Sequence, residues 1–246
     1  MLQPLSVGEI LDATFALYRR RFGLLFGIAL FAQGPAKAYE LYLTFSGATV
    51  LTHPLRWLAL MIVAWVGWLL AAGATLKAVS ETYLERDIEV GDALRFALGK
   101  LWPLVVAGFA AGLLGGLAAL LLIVPGVIVF CGYSVVSQVV VLEQLRRSTD
   151  ALSRSWELTR GNRNRALGLF AVFYLIVGVP QMGAGVLAAV VPSAQTVILS
   201  AAAVLQLVLT PLMVVGFTLY YYDLRIRKEQ LTEDGLRRDL ASSGVQ

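Results

Sequence analysis

Polar positions in this chain interrupt long apolar runs instead of alternating with hydrophobic ones. No Asp, Glu, Lys or Arg occurs from Ala166 to Tyr222, from Leu101 to Leu142, or from Trp57 to Leu76. A helix that crosses the hydrocarbon core of a bilayer needs about 20 predominantly apolar residues. The first two runs are each long enough for two spans, and the third fits one. A further apolar helix is expected from Phe22 to about Phe45, interrupted at Gly34-Pro35 and carrying Lys37 and Glu40. The second span is expected from about Leu58 to Val79. Spans three and four lie on either side of Val124-Pro125-Gly126, a sequence suited to a tight hairpin. Spans five and six flank Val191-Pro192-Ser193, where Pro192 breaks one helix and Ser193 is a candidate N-cap for the next.

The pattern changes character ahead of each pair of spans. Aligning Gly8, Gly91 and Thr149 places an acid next in all three segments: Glu9, Asp92 and Asp150. An acid in the first turn suits the positive end of a helix dipole. The less polar stripe then runs Ile10, Leu11, Thr14, Phe15 and Tyr18 in the first segment. It runs Ala93, Leu94, Ala97, Leu98 and Leu101 in the second, and Ala151, Leu152, Ser155, Trp156 and Thr159 in the third. These offsets trace one face of an α-helix. Ser6-Val7-Gly8-Glu9 also fits a capping box. The expectation is an all-α polytopic membrane protein with about six transmembrane helices in three hairpins, each preceded by a cytoplasmic-side amphipathic helix. The units are approximately 5–84, 88–142 and 147–229 within a single membrane domain, followed by a tail over 230–246. The amphipathic helices have two readings: flat in the headgroup plane, or packed as connectors on one face of the bundle.

Composition supports a lipid-solvated chain. Of the 246 residues, 58% are hydrophobic and only 15% charged, against roughly 25% charged in soluble domains. The net charge of +4 becomes informative once its members are placed. Of the 20 Lys and Arg residues, all but Lys37 and Arg56 fall on one side of the expected spans. Lys and Arg are retained on the cytoplasmic side, so both termini are expected in the cytoplasm of a bacterial inner-membrane protein. Topology accounts for the basic residues, and nothing in the charge pattern points to nucleic acid. The segment before Phe22 carries Glu9 and Asp12, which the start of a cleavable signal would not.

Several blocks resemble the glycerophosphoryl diester phosphodiesterase membrane domain family. They are Leu5-Ser6-Val7-Gly8-Glu9-Ile10-Leu11-Asp12 with Leu17-Tyr18-Arg19-Arg20, and Val124-Pro125-Gly126 with Val141-Leu142-Glu143. They continue with Ala151 to Gly161 and end with Thr218-Leu219-Tyr220-Tyr221-Tyr222-Asp223-Leu224-Arg225 through Glu229. A similar plan of hairpins and interfacial helices is found in the YciC-type inner-membrane proteins. The resemblance implies a membrane fold. In fused relatives this domain precedes a soluble phosphodiesterase barrel that supplies the catalytic His and acidic metal ligands. The single histidine here, His53, cannot supply that chemistry, so no activity follows from the family's name.

Candidate chemistry is sparse. One histidine and one cysteine, Cys131, leave no multi-ligand zinc set within one chain and no intrachain disulfide. No HExxH, P-loop or GxSxG motif is present. The expectation is a non-enzymatic protein without a cofactor. Lys37 and Glu40, three residues apart, are candidates for an intramembrane polar pair or for a pair at the outer interface. Arg160, Arg163 and Arg165 could meet lipid headgroups or simply set topology. Gly108, Gly112 and Gly116 repeat every four residues, a small-xxx-small pattern that permits close helix packing. Gln33, Gln138, Gln181 and Gln206 suit hydrogen bonds across helices, and Tyr220-Tyr221-Tyr222 with Arg225 reads as an aromatic belt with basic anchors. Membrane lipids are the expected partners, with protein partners or self-association beside them. The leading expectation is a lipid-interacting or partner-binding module, and the alternative is a small-solute or lipid transporter or channel, suggested by Lys37, Glu40 and spans broken at Pro35, Pro103, Pro180 and Pro211.

Overall fold

The computed structural model describes residues 4–230, and every element among them is helical. Five stretches are long and apolar enough to cross a membrane: Pro54–Tyr83, Leu101–Leu121, Ile123–Leu142, Arg163–Val190 and Pro192–Glu229. The tail expected beyond residue 230 lies outside the described residues. Helices α1 (Val7–Arg20) and α2 (Phe22–Phe45) precede α3 (Pro54–Tyr83), α4 (Val90–Gly99) and α5 (Leu101–Leu121). Then come α6 (Ile123–Gly132), α7 (Val136–Leu142), α8 (Asp150–Thr159) and α9 (Arg163–Phe173). A π-helical turn, Tyr174–Gly178, leads into α10 (Val179–Val190), and a 3₁₀ turn, Pro192–Ala194, into α11 (Gln195–Glu229).

Helix α2 begins and ends where the apolar pattern predicts. Its 24 residues extend about 36 Å at 1.5 Å per residue. Gln33, Lys37 and Glu40 leave it less apolar than the five stretches above. It is not interrupted at Gly34-Pro35, as expected from the sequence, because the helix runs through Pro35. Proline removes only the bond to the Phe31 carbonyl, and a packed neighbour can hold such a helix together. Helix α3 is that neighbour: a Cβ on Gly67 would lie 2.5 Å from the Ala32 carbonyl oxygen.

Three other breaks differ from the sequence reading. The turn between α5 and α6 is made by Leu122, with extended φ −160° and ψ 143°, and not by Val124-Pro125-Gly126. Pro125 sits in the first turn of α6, where a missing N–H costs little. Gly126 serves the close crossing, since a Cβ there would be 2.7 Å from Ala119 Cα. Ser193 is not an N-cap: it falls inside the 3₁₀ turn, and α11 starts after Ala194 with no side-chain cap. Pro180 does not end its span either. The Val179 N–H reaches back to the Tyr174 carbonyl, and this π turn carries the helix into α10.

The three short helices dock by equivalent positions. Ile10 and Thr14 of α1, Ala93 and Ala97 of α4, and Ala151 and Ser155 of α8 all have 0% exposure. Helix α1 packs along α11, where the Tyr18 hydroxyl donates to the Val208 carbonyl. Helix α4 packs on α3, with Ala97 against Gly73. The capping box is present: Glu9 Oε2 accepts from the Ser6 N–H at 2.6 Å, and Ser6 Oγ accepts from the Glu9 N–H at 3.3 Å. Gly161, with φ +84°, follows the end of α8 in the left-handed conformation. Around these contacts sits one large core, built on α11 residues Leu212, Val215, Tyr220 and Leu224 with Leu169 and Phe173 of α9. A small satellite core joins Ala36, Leu43, Ala48 and Leu60. Elsewhere the long helices present exposed apolar side chains, among them Phe31, Met61, Leu120, Ile123 and Val190.

Candidate functional site

The ends of α3, α7, α9 and α11 meet at one end of the bundle, and charged side chains lock them together. Asp223, 1% exposed, is the centre. Its carboxylate accepts from the Leu5 N–H at 2.7 Å, from Arg227 Nε at 2.9 Å, and from Arg165. Arg165 and Arg227 both also donate to the Leu5 carbonyl. The start of the chain is thereby stapled to the ends of α9 and α11. A second knot forms around Glu143, which accepts from Arg154 at 2.8 Å and from the Tyr221 hydroxyl at 2.9 Å. Arg154 and Arg225 then share Glu229. Lys77 and Glu81 form a buried pair at 2.7 Å, with the Lys77 ammonium 5.1 Å from the Phe96 ring centre.

The three tyrosines expected in an aromatic belt are instead the core of this clasp. Tyr220 and Tyr221 have 0% exposure and Tyr222 has 6%. Buried phenols need partners, and each has one. Tyr220 donates to the Asn162 carbonyl at 2.9 Å, Tyr221 bonds Glu143, and the Tyr222 and Ser80 oxygens are 2.9 Å apart.

Above the clasp the bundle opens into a groove of about 530 Å³ between α3, α5, α7 and α11. Trp65, Trp68 and Leu69 form one wall, Leu104 and Ala107 another, and Met213 and Phe217 the third. The Phe130 and Phe170 rings pack tilted with centres 4.3 Å apart, and those of Phe170 and Phe217 4.4 Å apart, which closes the side toward α6 and α9. No Asp, Glu, Lys, Arg or His lines it. Its polar residues, Tyr133, Ser134, Ser137 and Gln138, come from one place, the interruption of a span between α6 and α7.

That interruption is held from outside the span. Non-helical backbone at membrane depth survives only where protein or a cavity serves its polar groups. The Gly132 carbonyl accepts from Ser155 Oγ at 2.9 Å and Thr159 Oγ1 at 3.1 Å, both on α8. Trp156 of α8 fits where only a glycine leaves room, because a Cβ on Gly132 would lie 2.4 Å from its ring. The hydroxyls that weaken the apolar stripe of α8 are therefore ligands of a broken helix. Among the residues that line the groove, by contrast, Ser134 Oγ and Gln138 Oε1 are buried and have no hydrogen-bond partner among the described residues. Gln138 is 3% exposed.

The residues singled out from sequence are distributed over separate places. Lys37 and Glu40 are paired at 2.6 Å on α2, and neither lines the groove. Arg160 is exposed, Arg163 stacks 3.7 Å above the Trp156 ring, and Arg165 belongs to the Asp223 clasp. Gly108, Gly112 and Gly116 face the groove. Gly108 meets Leu69 and Trp65 at ordinary contact distance, whereas a Cβ on Gly112 or Gly116 would meet nothing within 4 Å. Of the glutamines, Gln181 bonds the Ala202 carbonyl at 2.8 Å across two helices, and Gln138 faces the groove. Ser134 and the break beside it were not foreseen. The only sequence signal is the small, polar-leaning run Gly132-Tyr133-Ser134 inside an otherwise aliphatic stretch.

Among the described residues no group of His, Cys, Asp and Glu could hold a metal ion. No family model, curated protein or solved structure matches the chain.

Proposed function

We infer that this is a non-catalytic integral membrane module that holds lipid within its bundle. The supporting observation is the groove: apolar walls of Trp65, Leu104 and Phe217, of a volume within the usual range of about 300–1,000 Å³ for small-molecule pockets, and no ionisable lining. A route for a charged solute would need polar groups along it, so the lining favours lipid over a charged solute as the occupant. In this reading α2 is a sixth span, and six helices cross as three hairpins with both termini in the cytoplasm of a bacterial inner membrane. The clasp around Asp223 and Glu143 lies at the cytoplasmic face, because Lys and Arg are retained there. The equal burial of equivalent positions in α1, α4 and α8 supports three repeat units. Membership of the glycerophosphoryl diester phosphodiesterase membrane domain family rests on the sequence blocks and is carried as part of this proposal.

Delipidation in mild detergent followed by native mass spectrometry tests it. The wild type is expected to retain lipid, and Gly112→Phe with Gly116→Phe, where an added side chain meets open space, to fill the groove and lose it while staying monodisperse. A wild type free of lipid, or a filled variant that retains as much, overturns the reading. Topology is tested separately with reporters after residue 193 and after residue 230, which should lie in opposite compartments.

A further inference from the structure

We propose that the groove selects an uncharged lipid bearing a hydroxyl group, of the diacylglycerol or long-chain alcohol class, and that Gln138 and Ser134 read that hydroxyl. The proposal rests on the lipid-holding reading above and deepens it.

Gln138 Oε1 and Ser134 Oγ are buried and unpartnered among the described residues. A buried polar group without a partner costs about 1–3 kcal/mol. Natural bundles place such groups where a ligand or water completes them. Both line the same groove, four residues apart, Ser134 inside the break between α6 and α7 and Gln138 in the first turn of α7. Gln138 Oε1 is an acceptor, so its complement carries an O–H or N–H. Ser134 Oγ can accept or donate, so it bonds the oxygen or the hydrogen of the same hydroxyl.

The lining then narrows the chemistry. With no Lys or Arg in the groove, a phosphate or carboxylate would be buried without a counter-charge, which is costly. An uncharged headgroup carries no such penalty. The remaining walls, Trp65, Leu69, Leu104 and Phe217 among them, suit a hydrocarbon chain. The Gly112 and Gly116 face of α5 leaves an open flank with no side chain in the way. That flank admits a chain from the surrounding bilayer. An entire helix is about 10 Å across with its side chains, too wide for a groove of about 530 Å³. A docking helix is therefore less suited to this site than a single acyl chain.

Trp65 and Trp68 provide the readout, since both line the groove. In a background with Trp57→Phe and Trp102→Phe, which leaves Trp156 as the one tryptophan outside the lining and a constant unquenched baseline, chain-brominated diacylglycerol is titrated against the purified full chain in detergent. Its O-acetylated form and the phosphatidate of the same chains are titrated in parallel. Loss of one such hydrogen bond is worth roughly tenfold or less in affinity. The expected result is quenching by diacylglycerol at several-fold lower concentration than by either comparison lipid. Gln138→Leu should abolish that preference and leave the acetylated lipid unchanged. Thermal stability supplies a second measurement that does not depend on quenching. Without lipid, Gln138→Leu should melt above the wild type, because it removes an unpartnered buried acceptor. Diacylglycerol should raise the melting temperature of the wild type more than that of the variant. Equal quenching by all three lipids, unchanged in Gln138→Leu, overturns hydroxyl selection and leaves lipid holding intact. Quenching led by phosphatidate overturns the uncharged class. No quenching by any of them overturns both readings.

Discussion

The guanidinium of Arg165 and the carboxylate of Asp223 form an ion pair across 58 positions of sequence, with the carboxylate side chain at 0% exposure. Arg227 shares the same carboxylate, and the Leu5 backbone is bonded by all three. Removing one member of a buried pair strands the other and costs about 3–5 kcal/mol. Arg165 and Arg227 keep 19% and 34% exposure, so Asp223→Ala is expected at the lower end of that range. Asp223→Asn should cost less, because its amide oxygen still accepts. The melting temperature checks the size. Hydrogen exchange checks the mechanism: the start of α1 should lose protection first, since its anchor is Leu5.

A second test separates backbone strain from side-chain contact. Helix α3 ends in a Schellman-type turn, with the Arg86 N–H bonded to the Glu81 carbonyl at 2.9 Å and the Glu85 N–H to the Thr82 carbonyl at 3.2 Å. The pattern puts Glu85 at φ +57°, where glycine is usual. A non-glycine residue pays about 1–2 kcal/mol in the left-handed region. Glu85→Gly is expected to stabilise the protein by about 1 kcal/mol, less the added freedom of the unfolded chain. Glu85→Ala should bring no such gain. Thermal unfolding of the two variants side by side distinguishes the outcomes.

The capping box of α1 carries a pH dependence of known sign. The Ser6 N–H, and after it the Ser6 hydroxyl, hold the Glu9 carboxyl below the ordinary carboxylate range. A group whose folded pKa is depressed stabilises the fold above its unfolded pKa, and that contribution fades as pH falls through the folded value. Protection of the first turn of α1 should therefore decline below about pH 4. In Glu9→Gln that decline should be absent, measured by hydrogen exchange at the amides of α1 across the acid range.

The charge-free runs made the spans legible because bilayer solvation is a property of composition over about 20 residues. The bounds of α2 and the capping box were legible for a similar reason, since both are local. Pro35 and Pro180 misled because helix continuity there depends on neighbours. Gly67 lies against Ala32, and the Tyr174 carbonyl takes the Val179 N–H. The tyrosines of α11 looked like a belt because aromatic and basic residues sit side by side in sequence. Their partners Asn162, Glu143 and Ser80 are 58, 78 and 142 positions away. Gln138 was singled out from the sequence as a polar group near a span. That it lacks an internal partner became visible only with its surroundings.

The interruption between α6 and α7 is the least local feature of all, and it allows the most pointed test of the architecture. The Gly132 carbonyl is served by Ser155 and Thr159, which lie 23 and 27 positions away on α8. Thr159 Oγ1 also has the Ser155 and Trp156 carbonyls within reach, so it is the weaker donor to Gly132. Ser155→Ala alone leaves that second donor in place and should cost well under the full penalty. Ser155→Ala with Thr159→Val orphans the carbonyl and should cost about 1–3 kcal/mol. The double variant should exceed the sum of the singles, because the two hydroxyls share one acceptor. Gly132→Ala tests the same joint by sterics, since its Cβ would be 2.4 Å from the Trp156 ring, and overpacking of this kind costs about 1–3 kcal/mol. In each case the amides of residues 133–136 should exchange faster while those at the Asp223 clasp stay protected. Loss of protection at both places together would show instead that α8 holds the whole bundle rather than the broken span.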